Sequence, residues 1–220
     1  AGRLHEQYPG TYIQTHLSEN KDEINSTLSL YPDCQDYLEV YERAGLVTDR
    51  SVFGHCIHLS DSECRRLAEA GSVIAHCPTS NLFLGSGLFD MLQANRVGMQ
   101  TVLATDVGAG TSFSLLRTMG EAYKVQQLNG YPMSVFESLY KCTLGAAKAL
   151  HSDDEIGCFG KGRKADFIVI DYAVTPSQQV RMDYLKHHEK WTLENKLFGL
   201  QTIGDDRNIL ATYIVGRQMK

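Results

Sequence analysis

Thr11–Asn20 reads TYIQTHLSEN, and the reading of this stretch decides the rest of the chain. Tyr12, Ile13 and Thr15 are aromatic or β-branched and suit a pleated strand. The run then delivers His16 and Glu19, two groups able to do chemistry. Parallel α/β folds present their reactive groups just past the carboxyl ends of their strands. A neutral imidazole is the commonest metal ligand. A carboxylate three residues further on reaches the same region of space. The pair reads as one metal ligand and one proton carrier. Because His-x-x-Glu spacing is frequent by chance, its weight depends on the strands that follow.

Upstream, Leu4–Gln7 resembles the tail of a helix stopped by Pro9-Gly10. No residues before it supply the rest of that helix, so the chain is expected to be a piece of something longer. Downstream, Asn20 is a cap for a helix starting at Lys21, with Glu23 at its third position. Asp36–Ala44 is a second helix. Ser51–His55 (SVFGH) is a short strand that again ends in His. Ser60 and Glu63 form a capping box for a helix through Ala70, and Ser72–His76 (SVIAH) is a third strand ending in His. Cys77–Gly87 reads as a loop, too polar at Thr79-Ser80-Asn81 for a core, and Leu88–Asn95 as a helix. Gln100–Thr105 (QTVLAT) is a fourth strand, ending in Asp106. Helices follow from about Ser114 to Leu128 and from Ser134 to Leu144, with another apolar turn through Leu150.

Strands alternating with helices favour parallel strands joined by right-handed crossovers. Successive strand ends carrying His16, His55, His76 and Asp106 match the top rim of a (β/α)-barrel. Residues 1–150 are therefore expected to belong to a (β/α)-barrel. Past Leu150 the composition changes. Gly157–Gly162 is a turn-rich connector without phosphate-loop spacing, Ala165–Asp171 and Ala211–Gln218 are strands, and Gln178–Phe198 between them is polar. A small β-layer appended to the barrel accounts for the two late strands.

His16, His55, Glu19 and Asp106 can converge on one divalent metal, the alternative being that each is an ordinary polar terminus of its strand. A catalytic zinc takes nitrogen and oxygen ligands and keeps a position open for water. Asp106 fits a ligand that also accepts a proton from that water, and Glu19 a shuttle to the leaving group. His58 is expected to face the following loop. His76-Cys77-Pro78 either offers a thiolate or shapes the loop; Ser80 and Asn81 either line a polar pocket or cap a turn. His187-His188 reads as a solvated patch, and Gly108–Thr111 as a turn that needs no ligand.

The bulk properties exclude several classes. The chain has 220 residues, a net charge of −5, 43% hydrophobic and 21% charged residues, as in ordinary soluble domains. Nucleic-acid binding needs a basic face, which this balance argues against. No apolar run approaches a membrane span. Six scattered cysteines without a Cys-x-x-Cys pair read as reduced thiols in a cytoplasmic protein. Asn25-Ser26-Thr27 matches the glycosylation pattern, a coincidence if the protein is not secreted.

At THLSEN, FGHCIHLS, AHCPTSN and ATDVGAGTSF the chain resembles the amidohydrolase superfamily. In THLSENKDEI, LYPDCQDYLEVYERAGLV, HCPTSNLFLGSGLFD and LLRTMGEAYKVQQLNGY it is similar to the branch that deaminates guanine, and the likeness runs through essentially all of it. The resemblance implies hydrolysis of guanine to xanthine and ammonia with one zinc ion per complete active site. It makes His16 and Asp106 metal ligands, with Glu19, His55 and Asp106 catalytic. Glu19 becomes the acid/base serving purine and departing ammonia, and His55 the imidazole that holds the attacking water. It sets the same four residues, His16, Glu19, His55 and Asp106, against the substrate. It also implies a homodimer at full length. The family's first barrel strand supplies two further ligands from a His-x-His motif, and no His-x-His occurs in this sequence. The guanine-selecting residues likewise lie upstream in the family. The resemblance therefore makes residues 1–150 the C-terminal half of a (β/α)8 TIM-like metal-dependent hydrolase barrel, its last four β-α units, and residues 151–220 the C-terminal segment of a small β-sandwich domain with its connecting helix or loop. The segment alone is thus expected to bind zinc poorly and to turn over little. The alternatives are an enzyme for another amino-heterocycle (a purine, pyrimidine or triazine) and a non-catalytic piece of scaffold.

Overall fold

The computed structural model describes residues 1–219. A short helix α1 (Gly2–Gln7) leads to strand β1 (Ile13–Leu17). Helices α2 (Lys21–Leu30) and α3 (Tyr37–Arg43) connect it to β2 (Ser51–His55). Helix α4 (Asp61–Glu69) leads to β3 (Val73–His76), and α5 (Pro78–Leu84) with α6 (Met91–Arg96) to β4 (Gln100–Leu103). The four strands form one parallel sheet in the order β1-β2-β3-β4, so each strand lies beside the next one in sequence. Parallel neighbours cannot be joined by a tight turn, and the intervening helices supply the crossovers.

The sheet is organised by its two faces. Phe53 and Ile74 are register partners, both fully buried, and pack with Leu17, Leu38, Leu67 and Met91 under α3, α4 and α6. Each such side chain contributes roughly 1.5–3 kcal/mol by leaving water. On the opposite face Val73, Ala75 and Val102 pack against Ala149. That face also carries His16, whose register partner is Gly54. A Cβ at Gly54 would sit 3.5 Å from the His16 ring, an ordinary contact distance, so the ring packs directly over this position.

The caps form where the sequence puts them. Asn20 and Ser60 each accept the backbone N–H three residues on, and Ser60 and Glu63 make the reciprocal box. Asp36, read as the first residue of the second helix, is instead its cap and accepts the Glu39 N–H. Cys77–Gly87 is not a loop. Residues Pro78–Leu84 form helix α5, with Pro78 at its first position, where its missing N–H costs nothing. Nor are its polar residues outside the core, because Thr79, Ser80 and Asn81 are all buried. Thr79 Oγ1 donates to the carbonyl of Thr105 at 3.2 Å, a partner that only the fold brings near. The following helix starts at Met91 rather than Leu88, because Asp90 caps it.

Helices α7 (Leu115–Leu128), α8 (Val135–Cys142) and α9 (Leu144–Ala149) complete the first part of the chain. Strand β5 (Phe167–Ile170) then begins a second, antiparallel sheet with β6 (Ile209–Ile214) and β7 (Arg217–Gln218). The stretch read as one strand, Ala211–Gln218, is a hairpin, because Val215 and Gly216 both turn with positive φ. The polar segment between the strands holds two helices, α10 (Pro176–His187) and α11 (Leu193–Ile203). Thr175 and Gln178 form the capping box of the first. Among the described residues no helix is long and apolar enough to cross a membrane.

Candidate active site

Three strand ends of the parallel sheet build the site. Just there the backbone enters the left-handed region at residues other than glycine: Ser18 after β1, His55 and Cys56 at the end of β2, and Asp106 after β4. Asp and His are among the residues that tolerate this conformation best, and such positions cost of order 1–3 kcal/mol unless the surroundings hold them. The turns aim side chains from separate strands at one point. His16, His55 and Asp106 each offer a ligand atom, and these atoms all lie within 4.8 Å of one another. The two imidazoles meet edge to face, with ring centroids 5.0 Å apart. His55 Nε2 is 3.8 Å from both Glu19 Oε2 and Asp106 Oδ2. His16 is exposed, His55 buried, and Asp106 lies between.

The surroundings fix these groups. The backbone N–H of Glu19 donates to Glu23 Oε2 at 2.8 Å, and Tyr37 donates its hydroxyl to the other oxygen of Glu23 at 3.0 Å. Burial, with the Tyr41 and Glu23 contacts, holds the Tyr37 hydroxyl far above the ordinary phenol range, so it stays a donor. Ser86 Oγ donates to Glu19 Oε1 at 2.9 Å. On the other side of the site, His55 Nδ1 is 2.8 Å from Asn81 Oδ1. An amide oxygen only accepts, so Nδ1 carries the proton and a neutral ring keeps its lone pair on Nε2, which faces the two carboxylates.

All four expected site residues are therefore brought together. His76 is not one of them. Its ring is fully buried, stacks on Phe89 with centroids 4.7 Å apart, and finds no partner for either nitrogen among the described residues. Burial first, then the nearby Lys141 and His55, pushes its pKa down to about 3, so it is a neutral core ring. Cys77 is buried and donates to the carbonyl of Ala75, and burial raises its thiol to about 12, which leaves it no thiolate to offer. His58 does face the following loop, donating from Nε2 to the carbonyl of Ser86 at 2.9 Å. Of the polar pair after β3, Asn81 lines the site. Glu23 and Ser86 also support the site: in sequence Glu23 has only a capping role, and Ser86 carries no signal because its partner lies 67 positions away.

Two imidazoles and a carboxylate on one point are a donor set that suits zinc. The histidines and the carboxylate are presented by β1, β2 and the turn after β4 of a parallel sheet, and residues 3–219 match the amidohydrolase family. The chain belongs to that family. This amidohydrolase chain is 51% identical over 217 residues to the guanine deaminase of Escherichia coli (strain K12), an alignment covering 99% of the chain and 48% of that protein. The solved E. coli guanine deaminase matches it with a TM-score of 0.95 at 50% identity, over 100% of this chain and 50% of that one. A guanine deaminase from C. acetobutylicum with guanine bound in its active site matches with a TM-score of 0.83 at 32% identity, over 99% and 50%. The amidohydrolase chain thus spans about half the length of the curated relatives it matches.

Proposed function

We propose that this chain is the C-terminal half of a zinc-dependent hydrolase that converts guanine and water to xanthine and ammonia. The observation that carries the reading is the convergence of His16, His55 and Asp106, with Glu19 beside them, in a chain 51% identical to a guanine deaminase. Residues 1–150 are taken as half of a (β/α)8 barrel and 151–220 as part of a small β-sandwich domain. The outer edges of β1 and β4, which pair with no other strand among the described residues, support the first of these. The second is supported by the antiparallel order β5-β6-β7.

In this reading His16 and Asp106 are ligands of the zinc. When bound, zinc acts as a Lewis acid and brings the pKa of water toward roughly 7. Nε2 of His55, with its lone pair toward the carboxylates, accepts a hydrogen bond from the attacking water and orients it. Asp106 takes the proton that this water gives up. Glu19 carries a proton to the purine ring and then to the departing amine, so that ammonia rather than amide leaves. In this reading all four groups line the place where purine and water react. The free state of all six cysteines supports a reducing compartment, the cytoplasm. Likeness to the family supports a homodimer at full length.

The test is the full-length protein, purified and given guanine. Ammonia and xanthine should appear in equal amounts, with one zinc per active site by metal analysis. Turnover of another amino-heterocycle in place of guanine would move the substrate assignment. A metal-free, inactive protein would end the enzymatic reading.

A further inference from the structure

Glu19 has two carboxylate oxygens, and the fold treats them differently. Oε1 accepts the Ser86 hydroxyl at 2.9 Å, while Oε2 is directed toward His55 Nε2, 3.8 Å away. Ser86 is itself held. The imidazole of His58 donates to its carbonyl at 2.9 Å, and its N–H donates to the carbonyl of Asn81 at 2.9 Å, in the turn that closes α5. The next residue, Gly87, has φ +136, and a Cβ there would come within 3.0 Å of Ile57 and 3.5 Å of the His58 ring. Only glycine lets the turn lie this close to residues 57 and 58. The backbone of Glu19 is anchored separately, by Glu23. With its backbone fixed by Glu23 and Oε1 held by Ser86, the Glu19 carboxylate is oriented with one oxygen left for proton transfer.

Resting on the guanine deaminase reading above, we propose that Ser86 is a positioning residue for Glu19, that His58 acts through Ser86, and that Oε2 is the oxygen that moves the proton. Removing the Ser86 hydroxyl frees the carboxylate to rotate away from the reacting atoms. The cost belongs to the chemical step rather than to substrate binding. Outer partners of catalytic groups of this kind are typically worth about 10–100-fold in activity.

The experiment uses the full-length enzyme. Ser86→Ala should lower kcat about tenfold or more with KM within about twofold and zinc content unchanged. Ser86→Thr, which keeps the hydroxyl, should recover most of the rate. His58→Leu should lower kcat as well, and adding it to Ser86→Ala should cost little more. In a Glu19→Gln background Ser86→Ala should have no further effect. A full kcat in Ser86→Ala, a rise in KM alone, or a multiplicative loss on top of Glu19→Gln would overturn the proposal. A crystal structure of Ser86→Ala supplies a readout that needs no substrate. The Glu19 carboxylate should leave the rotamer it holds in the parent, and an unmoved carboxylate would count against the proposal. Failure of the parent on guanine would instead refute the substrate reading, and the crystallographic comparison would still decide the role of Ser86.

Discussion

Asn81 Oδ1 sits 2.8 Å from His55 Nδ1, with both residues almost wholly buried. Asn81 is on α5 and His55 ends β2, 26 positions away. The contact decides which nitrogen of the imidazole is available to the site. Asn81→Leu should therefore lower kcat about 10–100-fold by letting the ring rotate or change tautomer. Asn81→Asp keeps an acceptor for Nδ1–H and should retain more activity than the leucine variant. Steady-state kinetics of the two full-length variants check this, and equal rates for both would contradict it.

The ligand and proton-carrier roles separate in a second experiment. His16→Ala or Asp106→Ala should strip bound zinc, as seen by metal analysis, and with it all turnover. Glu19→Gln should leave the zinc in place yet reduce kcat by about 10²–10⁴, because the amide cannot carry a proton. A Glu19→Gln enzyme running at near-parental rate would remove Glu19 from the mechanism.

His76 makes stability depend on pH. Burial keeps its ring neutral in the folded protein down to about pH 3, whereas an unfolded histidine takes its proton near ~6.5. Between those values the unfolded chain binds a proton that the folded chain refuses. Stability should fall as pH drops through that window, by up to about 1.4 kcal/mol per pH unit from this one group. Denaturant titrations of the full-length protein from pH 7 to 4 should show a shallower slope in His76→Gln than in the parent.

Helix α4 gives a test of local energetics far from the chemistry. Ser60 accepts from the Glu63 N–H at 3.2 Å, and Glu63 Oε2 accepts from the Ser60 N–H at 2.8 Å. Ser60→Ala should cost about 1 kcal/mol, read as a lower urea midpoint with unchanged kcat. An undiminished midpoint would mean that the box contributes nothing beyond what water supplies.

Local chemistry in the chain sufficed for most of the frame. Alternating strand and helix patterns specified the parallel units, because periods of two and about 3.6 residues report which face is buried. Caps at Asn20 and Ser60 were legible because each bond spans only three residues. His16, His55 and Asp106 stood out as reactive groups at strand ends. What remained hidden depended on distance along the chain. A polar run beginning with proline looked like a loop, yet it forms a helix whose first turn is buried, with Thr105 and His55 as partners of Thr79 and Asn81. His76 had the same sequence context as His55 but no route into the cluster, being buried beneath it against Phe89. The amino-acid sequence alone thus determined which elements form and which residue types stand at their ends. Tertiary structure alone decided which of those ends meet, because burial and long-range hydrogen bonds exist only after the strands have been set side by side.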